Sequence, residues 1–384
     1  MRKFDWVIAG AGFTGCVLAE RLASQMNRRV LIIDKRPHIG GNAYDELDEH
    51  GVLVHRYGPH IFHTNDDRIW NYLSRFTEWL PYEHRVMAVI DGHYVPVPFN
   101  LNSLETVFPA ADAERLEKAL VSTYGMGANV PILRMREHPD PEIRSLSDYV
   151  YSKIFENYTL KQWGMRPEEL SPSVTGRVPV RISRDDRYFQ DTYQAMPKHG
   201  FTPMFERILA HPNITVELGC DFEDLSGVEY DRMVYTGPID GFFNYVHGEL
   251  PYRSLRFECE FAEREWLQPV GTINYPNDHA YTRITEFKHI TGQQTNGTST
   301  VREYPQAYIP GENDPYYPVP LPSRELYARY EAEAKKLGGK VLFAGRLGDY
   351  KYYNMDQAVG RALAIIQDIA SGDASTLEIK GKSR

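Results

Sequence analysis

A single turn near the start constrains this chain more than any other feature. Gly10-Ala11-Gly12-Phe13-Thr14-Gly15 is a G-x-G-x-x-G sequence placed directly after the apolar run F-D-W-V-I-A at residues 4–9. In such a turn the first glycine permits the bend, the second lets backbone approach a diphosphate, and the third lets helix and strand pack closely. Residues 14–26 carry Val17, Leu18, Arg21 and Leu22 at helical spacing, and a helix starting there turns its N-terminus toward the negative charge. A second strand at residues 29–33 (R-V-L-I-I) ends at Asp34, 24 residues beyond Gly10, where an acid accepts hydrogen bonds from a ribose. Strand, glycine turn, helix, strand and acid together predict a βαβ dinucleotide site.

Two further patterns favour FAD over NAD. Ile39-Gly40-Gly41-Asn42-Ala43 is a second glycine turn soon after the ribose acid, and Val341-Leu342-Phe343-Ala344-Gly345-Arg346 is a strand-and-glycine sequence that returns to a flavin in such folds. The helix after it, at residues 355–370 with Val359, Ala362, Leu363 and Ile366 on one face, aims its positive dipole end at the flavin pyrimidine ring and favours an anionic reduced flavin. No second G-x-G-x-x-G follows a strand, so the pattern lacks a dedicated NAD(P)H domain.

Between these ends the periodicity changes. Residues 103–163 read as mainly helical, with Leu116, Ala119, Leu120 and Thr123 on one face and Leu146, Tyr149, Val150 and Ile154 on another. Residues 178–191 and 255–302 alternate apolar and polar side chains and predict antiparallel strands. Residues 309–322 form a Pro/Tyr-rich loop, and the polar tail after Ser371 is expected to fray. The 384 residues suit one large domain or two to three smaller ones. A net charge of −9 argues against non-specific nucleic-acid binding. No apolar run reaches the roughly 20 residues that span a bilayer, and Asp5 comes too early for a signal peptide. Cys16, Cys220 and Cys259 are odd in number and widely spaced, which fits a reducing cytoplasm and no disulfide framework.

Several segments carry candidate chemistry. His60-Ile61-Phe62-His63-Thr64 admits three readings: a loop against the flavin, structural histidines, or a metal site, which lacks the further ligands zinc needs. Residues 157–164 (N-Y-T-L-K-Q-W-G) are either part of a ligand site or only an aromatic helix end. Arg177 and Arg181 flank a Pro-containing loop, and Arg283 sits in Y-T-R-I; arginine grips phosphate through paired donors, although most arginines are solvated surface charges. Tyr188, Tyr317, Tyr352 and Tyr353 offer rings for stacking and hydroxyls for a sugar. No G-x-S-x-G turn or Ser/His/Asp set appears, so in an enzyme the flavin would do the chemistry.

These pieces occur together with further strings in order: G-A-G-F-T-G, H-I-G-G-N-A-Y, Y-G-P-H-I-F-H-T, Y-T-L-K-Q-W-G, R-V-P-V-R, D-D-R-Y-F, Y-Q-A-M-P, Y-T-G-P-I-D, Y-T-R-I-T-E-F-K-H, P-Y-Y-P-V and Y-K-Y-Y-N-M-D. In this the chain resembles the prokaryotic UDP-galactopyranose mutase family from end to end. The resemblance implies an α/β fold: a Rossmann-like FAD-binding domain assembled from discontinuous segments (1–80, 203–245 and 335–384), a small helical domain (103–170), and an antiparallel β-sheet domain (81–102, 171–202 and 246–334) with a mobile loop near 171–182. It implies a homodimer, UDP-galactose as substrate, and an external electron donor for the flavin. FAD would be held by Gly10, Gly12, Phe13, Gly15, Asp34, Lys35, Gly41, Asn42, His60, Ile61, Arg346, Met355, Asp356 and Gln357.

By the same resemblance Arg177, from the loop, and Arg283, fixed, hold the diphosphate and are catalytic candidates with His63. Phe155, Tyr158, Thr159, Trp163 and Asn274 lie toward the uridine, and Tyr188, Tyr317 and Tyr352 toward the phosphates. His84 stands where one branch of the family has asparagine and another histidine. Ile154 replaces a frequent aromatic near the uracil, and Asn354, also a substrate candidate, occupies a position that is often Asp. The implied reaction interconverts UDP-galactopyranose and UDP-galactofuranose, the latter for cell-surface glycans. In it N5 of reduced flavin takes galactose C1 from UDP in a covalent adduct and later gives it back. A flavin oxidoreductase without a diphosphate clamp and a non-catalytic FAD-binding scaffold are the alternatives.

Overall fold

The computed structural model describes residues 2–171, 176, 178–319 and 323–372. Arg177, its neighbours 172–175 on the expected loop, the end of the Pro/Tyr-rich segment and most of the C-terminal tail lie outside the described residues.

Five parallel strands run in the order Ile214–Leu218, Val30–Asp34, Arg2–Ala9, Val228–Tyr235 and Val341–Phe343. Both faces of this sheet are covered, which is why its central strands are apolar almost without interruption. Trp6, Ile8, Val30, Ile32, Val234 and Leu342 pack toward the helices Phe13–Met26, Phe201–Leu209 and Met355–Ala370. Val7, Ala9, Leu31, Ile33, Met233 and Phe343 point the other way, into a core shared with Tyr330 of helix Arg324–Lys336. The two-residue alternation of a strand serves both layers at once. The sheet is Rossmann-like and discontinuous, its strands coming from the beginning, middle and end of the chain.

A second sheet has seven strands in the order Tyr317–Pro318, Tyr252–Ala262, Thr298–Ala307, Arg283–Glu286, Thr272–Asn274, Val86–Ile90 and His93–Val97, antiparallel except where Thr272–Asn274 meets Val86–Ile90. Helices Leu101–Val107, Ala110–Tyr124, Ile132–Arg136 and Pro141–Val150 close over its last two strands, and Ala88 and Val97 share a core with Leu116, Leu120, Leu146 and Val150. One turn of π-helix, Tyr151–Glu156, then leads into helix Asn157–Trp163. A small three-stranded sheet (Phe62–Thr64, Tyr193–Pro197, Trp79–Pro81) sits beside the parallel one.

The alternating stretches are less regular than their pattern predicts. Within residues 178–191 the only named strand among the described residues is Val180–Arg181. The buried Arg181 guanidinium donates to the carbonyls of Arg187 (2.5 Å) and Tyr188 (2.8 Å). Carbonyls taken by a side chain are lost to a ladder, so this stretch becomes a pinned loop. Residues 255–302 are likewise interrupted, by helix Phe287–Thr291 among others. In helix Ala110–Tyr124 the inward face runs through Ala113, Leu116 and Leu120, while Thr123 is exposed. Among the described residues no helix is long and apolar enough to cross a membrane.

Candidate active site

A cavity of about 610 Å³ opens where the glycine turn meets the ends of the parallel strands. Ligands bind at this edge of such sheets because helix N-termini and chain reversals converge there. Helix Phe13–Met26 begins at Gly12 with no side-chain cap and no acid in its first turn, which leaves its first N–H groups for an anion. Gly12 and Gly41 stand back to back and both line the cavity. A Cβ on Gly12 would find no protein atom nearer than Gly41 Cα at 3.8 Å. Nothing in the protein itself demands glycine at that position, whereas a diphosphate in the cradle would. Gly10 (φ 113°) makes the turn, as its place in the motif predicts.

Asp34 is fixed by two backbone donors: Oδ2 accepts from Ala11 N–H at 2.8 Å and Oδ1 from Arg36 N–H at 2.9 Å, and each oxygen keeps a lone pair that a hydroxyl could use. Lys35 and Arg36 share the Asp314 carboxylate at 2.9 and 2.7 Å. Arg36 also donates to Asn42 Oδ1 at 2.9 Å and lies over the Tyr57 ring. Phe13, Gly15, Lys35, Asn42 and His60 line the cavity, and so do Arg36, Asp314 and Tyr316, which the sequence did not single out. Arg36 sits beside a residue that was chosen, but its partner is 278 positions away, and nothing local marks it.

At the far end Arg346, Asn354 and Met355 line the same space. Arg346 donates to the carbonyls of Tyr353 (2.7 Å) and Tyr316 (3.3 Å). Asp356 and Gln357 are not among the lining residues. Asp356 accepts from Thr64 Oγ1 (3.2 Å) and from Gln357 N–H (2.8 Å), and Gln357 Oε1 accepts from Asn354 N–H (2.9 Å), so both are occupied in capping the helix. The Ile61 side chain packs into the core instead of the cavity. His60 is buried with Nδ1 on the Gly58 carbonyl at 2.9 Å, and burial lowers its pKa to about 3, so the ring is neutral. His63 points to a different partner, Asp191, at 2.8 Å.

Phe155, Tyr158, Thr159, Trp163, Tyr188 and Asn274 all meet around a second, smaller cavity of about 110 Å³. The π-turn and the helix after it supply four of these, and Ile154 of the same turn lines the wall with them; a π-turn adds a residue to the helix and so turns successive side chains onto one surface. Asn274 Oδ1 is buried and, among the described residues, has no hydrogen-bond partner. An acceptor left so in a cavity wall suits an N–H of a ligand.

Arg283 pairs with Asn274 on one neighbouring strand and with Glu303 on the other. Burial opposes its charge, but the Glu303 carboxylate outweighs this and holds its pKa well above the ordinary value. Arg283 acts electrostatically on Tyr158, in the small cavity wall, and on Tyr316 and His60, in the large one. Arg283 itself is half-buried and lines neither cavity. Tyr317 is buried with its hydroxyl hydrogen-bonded to the carbonyl and the amide of Gln162. Its ring and that of Tyr352 pack around Trp163 at centroid distances of 4.7 and 5.5 Å. His84 lines neither cavity. It is buried, neutral with a pKa lowered to about 3 by burial, and bonded through Nδ1 to the Tyr82 hydroxyl at 3.0 Å.

Comparisons with known proteins bear on the family and the fold. A family model described as UDP-galactopyranose mutase matches residues 153–352, and one described as an NAD(P)-binding Rossmann-like domain matches residues 8–76. A probable UDP-galactopyranose mutase of Klebsiella pneumoniae is 39% identical, over 99% of this chain and 98% of its own length. A dTDP-fucopyranose mutase of Escherichia coli is 36% identical over 94% and 97%, respectively. A crystal structure of reduced UDP-galactopyranose mutase shares the fold, with a TM-score of 0.75 over 98% of both chains at 17% identity.

Proposed function

Because the chain belongs to the UDP-galactopyranose mutase family, we propose that it interconverts UDP-galactopyranose and UDP-galactofuranose with reduced FAD in the large cavity. The observation that carries the reading is Arg283, a half-buried cation fixed by Glu303 that acts on residues in the walls of both cavities. FAD fits the large one: the Gly12–Gly41 cradle takes the diphosphate, Asp34 the ribose, and the return to Arg346 and Met355 the isoalloxazine end. When bound and reduced, the flavin would supply an electron-rich centre for substitution at galactose C1.

The chain's own residues bind and orient. The small cavity receives the uracil, with Asn274 Oδ1 accepting the imide N–H and Trp163 and Phe155 covering the ring. Arg283, joined by Arg177 from the loop, holds the diphosphate and neutralises it as it departs. The N-terminus of helix Met355–Ala370 favours negative charge on the flavin. The same reading includes the three-part division of the chain, a homodimer in the cytoplasm, an external reductant, and a product destined for cell-surface glycans. A dTDP-fucose substrate is the second reading, favoured by the 36% identity to the dTDP-fucopyranose mutase.

The test is direct. Dithionite-reduced protein incubated with UDP-galactofuranose should yield UDP-galactopyranose by chromatography, with no reductant consumed per turnover, and air-oxidised protein should yield almost none. Turnover of dTDP-fucofuranose alone would select the second reading. Full activity with oxidised FAD would overturn the flavin's role.

A further inference from the structure

Residues 308–316 form a loop whose two stems stand on one residue. Ala307, at the end of strand Thr298–Ala307, and Tyr317, at the start of strand Tyr317–Pro318, both pair with Arg253. Between them the chain leaves the antiparallel sheet and reaches the end of the parallel one. Asn313 shapes the loop from within: its Oδ1 accepts from Ile309 N–H at 3.0 Å, and its Nδ2 donates to the Ala307 carbonyl at 3.1 Å. A compact loop on adjacent stems can swing as a unit, so its position depends on what holds its far side.

Asp314 supplies that hold. Its carboxylate accepts from Lys35 Nζ at 2.9 Å and from Arg36 at 2.7 Å, both in the segment just after Asp34. Arg36 is fixed in turn by Asn42 Oδ1 at 2.9 Å and by the Tyr57 ring, 4.2 Å beneath it. Burial opposes the Asp314 charge, but Arg36 and Lys35 outweigh it and keep the carboxyl below the usual carboxylate range. The side chains of Lys35 and Asp314 are 56% and 39% exposed, and that of Arg36 15%. All three also line the large cavity. The tie therefore stands at the rim, with solvent on one side and the cavity on the other. Tyr308, Gly311 and Pro315 of the same loop line the cavity together with Asp34 and Gly41, so the loop closes a span of it beside the acid and the glycine cradle.

We infer that the Asp314–Arg36 pair is a clasp that gates cofactor exchange: the loop bars the large cavity while the pair is closed, and FAD enters or leaves when it opens. This rests on reading the large cavity as the FAD site. The clasp joins protein groups alone, so it is equally strong in empty and loaded protein. Weakening it raises the open fraction of both by the same factor. Uptake and release then accelerate together, and the Kd stays where it was. A residue that simply bound FAD would act differently, speeding release and raising the Kd. Exposed ion pairs contribute little, which makes Lys35 the minor partner and Arg36 the major one.

Stopped-flow flavin fluorescence on the oxidised, full-length protein reads both rates: quenching as apoprotein takes up FAD, and recovery when loaded protein is diluted. Asp314→Ala should raise both rates about five- to tenfold, as loss of a partly buried charge-assisted bond predicts, with the Kd for FAD within about twofold of wild type. Lys35→Ala should change either rate by less than about twofold. In an Arg36→Ala background, adding Asp314→Ala should likewise change the rates by less than about twofold, because the pair is already broken. If the alanine variant does not fold, Asp314→Asn, of the same shape without the charge, takes its place and should show the same paired acceleration. Unchanged rates, faster release with a Kd raised in proportion, or a full Asp314→Ala effect without Arg36 would each overturn the clasp while leaving the FAD site intact. A wild-type protein that takes up no FAD would refute the cofactor reading, and the clasp with it.

Discussion

Arg283 and Glu303 face each other across adjacent antiparallel strands, joined by a 2.6 Å hydrogen bond from Nε to Oε1. Glu303 is fully buried, and its second oxygen has no partner among the described residues. The carboxylate thus fixes the guanidinium through Nε and leaves its two terminal nitrogens outside that bond. Arg283→Lys keeps the charge but loses the fork that reaches both partners. With a charge-assisted bond contributing about 1.5–3 kcal/mol, kcat/KM should fall roughly ten- to a hundredfold while FAD stays bound. Flavin absorbance and UDP calorimetry check the two halves, and near-normal UDP affinity would remove Arg283 from the diphosphate site.

Gly12 and Gly15 should fail differently. A Cβ on Gly15 would lie 1.9 Å from the Gly10 carbonyl oxygen, whereas one on Gly12 meets nothing nearer than 3.8 Å. Gly15→Ala should therefore destabilise the fold by about 1–3 kcal/mol through overpacking. Gly12→Ala should keep its melting temperature without cofactor and lose most of its affinity for FAD. Thermal denaturation and flavin titration of both variants separate the two roles; a Gly12→Ala protein that stays fully yellow would misplace the diphosphate.

Asn274→Ala should weaken UDP binding without weakening the protein. Its buried Oδ1 has no partner among the described residues, and an unsatisfied acceptor costs roughly 1–3 kcal/mol. Its removal should leave the melting temperature of the UDP-free enzyme equal or higher, while the Kd for UDP rises about tenfold. A lower melting temperature with unchanged UDP affinity would make Asn274 a structural residue.

Stability should fall on mild acidification. Burial lowers the pKa of His55, His60 and His84 to about 3, against roughly 6.5 when unfolded. Below 6.5 the unfolded chain binds protons that the native protein refuses, so the stability present above that pH is lost as it falls toward 3. Each histidine contributes about 1.4 kcal/mol per pH unit in that window, and the three together about 6 kcal/mol between pH 7 and 5. Urea unfolding at the two pH values measures this, and His84→Gln should remove about a third of the difference. A flat profile would mean that these rings are protonated in the native state.

What the sequence revealed follows the range over which each interaction acts. The glycine turn, Asp34 and the helix at 355–370 are local patterns, and all stand where their spacing put them. Arg36, Asp191 and Glu303 were not singled out because their partners Asp314, His63 and Arg283 are distant in the chain or across a sheet. No window of neighbouring residues contains both members. The alternation at 178–191 misled for a related reason, since Arg181 ties up carbonyls that a strand would need. Asp356 and Gln357 were placed near the flavin by their position at a helix start, but their side chains bond within the helix cap and to Thr64.

The order of strands in the parallel sheet has a consequence for the time at which the protein becomes competent. Arg2–Ala9 leaves the ribosome well before its partners, yet on one side it pairs with Val228–Tyr235, Val7 lying beside Met233, and that strand in turn pairs with Val341–Phe343. Contacts between segments so far apart in the chain form late and slowly. A nascent polypeptide carries the complete glycine turn long before the wall contributed by Arg346 and Met355 exists. On the proposed reading, cofactor loading therefore follows synthesis of that wall, and the yellow of bound flavin would be a sign that the segment carrying Arg346 and Met355 has been made and has docked.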